Sequence, residues 1–273
     1  MNPGDVIAGK YVLERKFGQG GLGEVWLAEH RVLHRPCALK FLRFGAELLN
    51  AGGILRVLVG ELKRVARFNH PNAVRTQDFC LHDGDPLLVM DYVEGKTVRE
   101  LISEGPFDNK EVVRIATDVL AALAYAHAQS IVHGNLKPSK VHVAPTRHTY
   151  VRDFGITKAL EKARGQGPIF TPVYAAPEHF DPGRFGPVTP ATDLYSLAVT
   201  MYHMATGQPP FMGTGYEVLR RHMDAAPPRV AEVNPQITPA LDAVIMKALA
   251  KEPRERFASA DEMAAALRPQ LLV

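Results

Sequence analysis

The 273-residue sequence predicts an α+β fold of two lobes, the first small and strand-rich, the second larger and helical. Three observations lead there. Runs of β-formers broken by glycine-rich and polar turns fill the first third of the chain. Apolar residues at three- and four-residue spacing dominate beyond Met90, the pattern of helices with one buried face. Proline pairs at Pro209-Pro210 and Pro227-Pro228 mark loops between the later helices.

In chain order, Tyr11-Val12-Leu13-Glu14-Arg15, Val25-Trp26-Leu27-Ala28 and Cys37-Ala38-Leu39-Lys40-Phe41-Leu42 read as strands. Over residues 48–68 the positions Leu55, Leu58, Leu62, Val65 and Phe68 fall on one helical face, with Gly52-Gly53 loosening the first turn. Leu87-Leu88-Val89-Met90 is an unbroken apolar run, as expected of a buried strand. Helices are predicted over 111–128, 191–206 and 239–250. The expected division is 1–10 as an N-terminal arm, 11–92 as the small lobe and 93–270 as the large one. No repeat or low-complexity tract interrupts it.

Hydrophobic residues make up 46% and charged residues 22%, ordinary for a globular chain long enough to bury a sizeable core. A formal net charge of +3 is small for this length and argues against a nucleic-acid partner. Cys37 and Cys80 have neither metal-ligand nor C-x-x-C spacing, which fits free buried thiols in a reducing compartment. No apolar run approaches the ~18–20 residues of a membrane span, and Met1-Asn2-Pro3-Gly4-Asp5 does not open a signal peptide. A cytoplasmic location without membrane insertion is expected. The chain stops soon after its last predicted helix, as a piece of a longer protein would.

The residues with chemistry to offer come in a definite order. Gly18-Gln19-Gly20-Gly21-Leu22-Gly23-Glu24-Val25 is a loop whose glycines let backbone approach phosphates without side-chain clash. Ala38-Leu39-Lys40 follows, and Glu61 sits on the next helix, ahead of His70-Pro71-Asn72. Leu88-Val89-Met90-Asp91-Tyr92-Val93-Glu94-Gly95 leads from strands to helices. Then come His133-Gly134-Asn135-Leu136-Lys137-Pro138-Ser139-Lys140, Asp153-Phe154-Gly155 and Ala176-Pro177-Glu178, with Asp193 and Arg256 downstream. Singly these are weak signals: a glycine-rich hairpin is often structural, and Lys40 and Glu61 alone read as solvated charges. In this order they resemble the protein kinases, whose patterns are G-x-G-x-x-G-x-V, V-A-I-K, H-R-D-L-x-x-x-N, D-F-G and A-P-E. The resemblance runs from about Tyr11 to Leu267, and its details are most similar to bacterial Ser/Thr kinases of eukaryotic type.

The resemblance implies a bilobal protein-kinase-like fold with ATP held between the lobes. Gly18, Gly20 and Gly23 would approach the phosphates, Val25 would cover the adenine with Ala38 beside it, and Met90 would guard the back of the site. The Asp91 and Val93 backbones would meet the adenine edge, Lys40 would pair with the phosphates and with Glu61, and Asp153 would hold magnesium. Glu178 and Arg256 are expected to form a buried ion pair, and Asp193 to anchor the loop 133–140.

Five positions in the cleft depart from the family pattern. Asn135 stands at the Asp that takes the substrate proton, and an amide has no basic lone pair at neutral pH. Lys140 stands at the Asn that holds the second magnesium, and an ammonium cannot ligate a metal. Gly134 replaces an Arg that reads a phosphorylated activation loop. His142 replaces Leu beneath the adenine, and Arg152 replaces a small residue of the pocket lining. Residues 158–170 also lack Ser, Thr and Tyr, while Lys158, Lys162 and Arg164 form a basic strip there. The protein expected from these departures is a pseudokinase, a regulatory or scaffolding module acting through a protein partner. It would bind ATP weakly or not at all, take magnesium at one site only, through Asp153, and keep Asn135 and Lys137 as a degraded catalytic loop. The alternative is a slow Ser/Thr kinase in which Asn135 orients the hydroxyl and Lys137 neutralises phosphate charge.

Overall fold

The computed structural model describes residues 1–20, 23–42, 54–165 and 167–271. In the small lobe β1 (Val6–Ile7), β2 (Tyr11–Gly20), β3 (Gly23–His30), β4 (Arg35–Leu42), β5 (Thr76–His82) and β6 (Asp85–Asp91) form one antiparallel sheet, ordered β1-β2-β3-β4-β6-β5. Alternation along the central strands gives the sheet two buried faces. Trp26, Leu39, Leu87 and Val89 close the outer face over Ile7 and Leu13. Val25, Ala38, Leu88 and Met90 point the other way, onto α1 (Ile54–Val65) and its Leu58, Leu62 and Val65.

The expected arm is part of this lobe: β1 pairs with β2 and Ile7 is 1% exposed in the outer core. Strand β5 had no sequence expectation, because at the sheet edge its side chains are mostly half-buried or exposed and no apolar alternation develops. The helix expected over 48–68 is observed from Ile54; residues 48–53, with Gly52-Gly53, lie outside the described residues. Phe68 falls in the turn beyond the helix, its ring 4.6 Å from that of Phe154.

The large lobe contains α2 (Val98–Ile102), α3 (Asn109–Ala128), α4 (Ile156–Arg164), α5 (Pro190–Thr206), α6 (Tyr216–Asp224), α7 (Pro239–Ala248) and α8 (Ala260–Leu267). Their starts are written in the sequence. Thr97, Asp108, Thr238 and Ser259 each accept a bond from the backbone N–H three residues on, and Pro190 and Pro239 open the first turns of α5 and α7. Helix α5 is buried almost all round and forms the centre of the lobe's core with α3. A small sheet, β7 (Lys96–Thr97), β8 (Val141–Val143) and β9 (Thr149–Val151), roofs this core. Val74 N–H donates to Val151 O at 2.9 Å and Val151 N–H to Asn72 O at 2.8 Å, so β9 is laced to the chain entering β5.

Helix α4 was not expected. Ile156, Ala159, Leu160 and Ala163 repeat at helical spacing and are buried in the same cluster as Leu58, Leu62 and Val65 of α1. The chain enters α4 through Gly155 at φ +67°, where a Cβ would lie 2.6 Å from Val65 Cγ2. Only glycine lets the two helices approach this closely.

Glu178 and Arg256 form the expected buried pair, both side chains wholly enclosed. Arg256 Nη1 and Nη2 donate to the two carboxylate oxygens at 2.7 and 2.9 Å. Its remaining N–H groups reach the carbonyls of Ala250, Ala191 and Lys251, so all five donors are used. Replacing Arg256 by Met leaves Glu178 charged in an apolar enclosure, and a loss of about 3–5 kcal/mol in urea unfolding is expected. A loss under 1 kcal/mol would show that the pair is not a structural clamp.

Candidate functional site

The loop between α3 and β8 is positioned by Asp193 at the N-terminal turn of α5. Its Oδ2 accepts from His133 N–H at 2.9 Å and lies 2.8 Å from His127 Nε2, and its Oδ1 accepts from Gly134 N–H at 2.8 Å. Burial opposes charge on Asp193, but the His127 contact and these bonds hold its carboxyl below the usual range. His133 is fully buried, with Nε2 3.0 Å from Arg152 O, and burial lowers its pKa so that it stays neutral. Gly134 has φ +69° and a Cβ there would meet nothing within 4 Å. Exchanging a guanidinium for glycine there relieves backbone strain and leaves no cation to read a phosphate.

Asn135 is 8% exposed, and its Oδ1 accepts from Thr171 Oγ1 at 3.2 Å. Lys137 Nζ donates to the same hydroxyl at 2.7 Å. Burial, then repulsion from Arg152 and Arg99, lowers the Lys137 pKa. Thr171 thus aligns the amide and the ammonium. The sequence alone gives Thr171 no role, since a single hydroxyl 36 residues from Asn135 carries no local signal.

Asp153 ends β9's run into the cleft at φ +72° and is 4% exposed. Lys40 Nζ, from β4, lies 2.8 Å from Oδ1, and Lys140 Nζ donates to Oδ2. Burial opposes the carboxylate's charge, yet Lys140, Lys40 and Arg152 hold it well below the usual carboxylate range. Burial likewise lowers Lys140, against the pull of Asp153. The expected Lys40–Glu61 pair does not form between these described side chains. Lys40 is drawn to Asp153, and Glu61 Oε1 instead accepts from Lys162 on α4 at 2.5 Å. One member of the basic strip, Lys162, therefore meets an acid of its own chain, because α4 packs against α1.

The adenine lining expected from sequence converges in space. Strand register sets Val25 opposite Lys40 and Ala38 opposite Met90, and Val25, Ala38 and Met90 share one buried cluster. Asp91 and Val93 follow on the connection to the large lobe, Asp91 N–H donating to Arg75 O at 3.0 Å and its carboxylate accepting from Gln77. Gly18 and Gly20 end β2 and Gly23 begins β3 across the turn from them. His142, on β8, and Arg152, after β9, enter the cleft from the large lobe. Both ring nitrogens of His142 and the Arg152 Nε are enclosed without a hydrogen-bond partner.

These residues fit the base and phosphates of a nucleotide, but they do not assemble the donor set of a divalent ion. Asp153 already faces two ammonium groups, and Lys140 holds the place where a carbonyl ligand is needed. Among the described residues no group of three or more His, Cys, Asp or Glu side chains could hold a metal. Asp153 is the carboxylate a divalent ion would use, and in this structure Lys40 and Lys140 engage it.

A strand-rich lobe over a helical one, with these motifs facing the cleft, defines a protein kinase domain. The protein kinase domain profile matches residues 11–267, and the chain belongs to that family. Within it the chain is similar to the Ser/Thr-protein kinases PrkC of Bacillus subtilis (32% identity over 97% of this chain) and pkn3 of Myxococcus xanthus (34% over 97%). It spans 41% and 50% of the length of those relatives. The Mycobacterium tuberculosis PknI kinase domain superposes with a TM-score of 0.77 at 29% identity, each chain covered in full. Membership implies ATP and magnesium use in general. No helix among the described residues is long and apolar enough to cross a membrane.

Burial, and then the charge of Arg152, lowers the His142 pKa to about 4. An unfolded His142 takes its proton near 6.5, so the unfolded state binds more protons between there and 4, and stability falls as pH drops through that window. His142→Leu removes the two unpartnered nitrogens and this linkage. The variant is expected to unfold at higher urea at pH 7 and to lose less between pH 6.5 and 4, by on the order of 3 kcal/mol. Parallel pH profiles would show that His142 is solvated.

Proposed function

We propose that this chain is a pseudokinase, a protein kinase domain that serves as a regulatory or scaffolding module for a protein partner and binds ATP weakly. One observation carries the reading: Asn135 occupies the proton-acceptor position, linked through Thr171 to Lys137 in a geometry that orients a hydroxyl without deprotonating it. Loss of a positioned general base costs about 10²–10⁴-fold. Asp153 engaged by Lys40 and Lys140 adds to that loss. Gly134 and the absence of Ser, Thr and Tyr over 158–170 remove both halves of a phosphorylation switch. In keeping with that, α4 is fixed by apolar packing and by Lys162–Glu61.

The second reading, a slow Ser/Thr kinase, is favoured by the same Asn135–Thr171–Lys137 alignment, since phosphoryl transfer depends mainly on positioning and electrostatics. Incubation with γ-labelled ATP and magnesium or manganese separates them. No phosphoprotein is expected, and Asn135→Asp alone does not restore transfer while Lys140 remains. Stoichiometric labelling that disappears in Lys40→Ala establishes the slow kinase instead.

A further inference from the structure

We propose that the cleft takes a nucleoside triphosphate without a divalent metal, Lys140 serving as the built-in counter-cation. This goes beyond the pseudokinase reading and does not depend on whether phosphate is transferred. The carboxylate that would receive a metal is spanned by Lys40 from the small lobe and Lys140 from the large one. A divalent ion there must displace an ammonium, with Arg152 also repelling it. The same substitution favours an anion. Lys40, Lys137, Lys140 and Arg152 outnumber Asp153, and Glu100, the other acid that influences Arg152 and His142, is tied to Thr97 N–H and Oγ1 at 2.7 Å. A free triphosphate carries more negative charge than its magnesium complex and matches this surplus better.

Unpartnered polar atoms point to the same place. Five buried side-chain N or O atoms in the described residues lack a hydrogen bond, and three of them, His142 Nδ1 and Nε2 and Arg152 Nε, are nitrogens in this cleft that can meet an acceptor-rich ligand. Asp153 Oδ1, also without a hydrogen bond, is an acceptor already in ion-pair contact with Lys40 and has nothing to gain from a phosphate. Buried polar groups are rarely left unsatisfied, and a cluster of them implies a ligand that completes it. The base has its own lining in Val25, Ala38 and Met90. At Gly18 a Cβ would make only ordinary contact with Val25, at 3.5 Å, and its absence leaves room for a phosphate to approach the strand end.

Isothermal titration of the whole chain tests this with ATP in EDTA, ATP in excess magnesium, and inorganic tripolyphosphate in EDTA. The expected result is ATP binding in EDTA at least as tight as in magnesium, and weaker binding of tripolyphosphate. Lys140→Asn should weaken ATP binding in EDTA by about tenfold or more, the scale of one charge-assisted hydrogen bond, and make magnesium favourable. Lys140→Met, which keeps the buried stem, should show the same loss in EDTA and no gain from magnesium; thermal unfolding verifies that each variant is folded. Heat from wild type only with magnesium, no heat with either form of ATP, equal affinity for tripolyphosphate, or unchanged EDTA affinity in both folded variants would each overturn the proposal. A phosphoprotein in the labelling assay bears on the pseudokinase reading alone.

Discussion

Asp153 is a buried carboxylate held between an ammonium from each lobe, and much of the cleft's behaviour follows from that arrangement. Removing a carboxylate and two ammonium groups from water is costly, and only their mutual attraction in a poorly polarisable interior offsets it. Lys40 comes from β4 and Lys140 from the loop before β8, so the cluster joins the lobes as well as satisfying its own charge. Substituting Lys for a neutral metal ligand thus does more than delete a binding group. It supplies a cation covalently, which shares Asp153 with Lys40, while Glu61 pairs with Lys162.

The displaced Glu61 is part of a second arrangement, between α1 and α4. Leu58, Leu62 and Val65 face Ile156, Ala159, Leu160 and Ala163, Gly155 permits the close approach, and Lys162 takes the carboxylate. Apolar burial of this kind needs no phosphate to fix the segment. Residues 158–170, which carry no Ser, Thr or Tyr, thus include most of a helix placed by packing rather than by a modification.

Much of the fold was legible because its signals are local. The β2 to β4 and β6 runs, the faces of α1, α3, α5 and α7, and the Glu178–Arg256 and Asp193 expectations all followed from periodicity or from ordered motifs. Strand β5 escaped because an edge strand with mixed burial carries no clean alternation. Helix α4 escaped although Ile156, Ala159, Leu160 and Ala163 show its period, because 9 residues bounded by Gly155 and Gly165 carry too short a pattern to stand out from a loop. Cys37 is buried as expected, whereas Cys80 on β5 is half-buried; both are free.

Residue identity by itself determined the family, the order of the two lobes, and the departures from the family pattern at Asn135, Lys140 and Gly134, since what an amide, an ammonium or a missing side chain can do is independent of context. Only the tertiary structure decided the pairings. The family pattern offers Lys40 two acids, and here it contacts Asp153 while Glu61 is taken by Lys162 of α4, a pairing among groups far apart in sequence. The same holds for the unpartnered nitrogens of His142 and Arg152: burial without a partner is a property of the packed cleft, not of either residue.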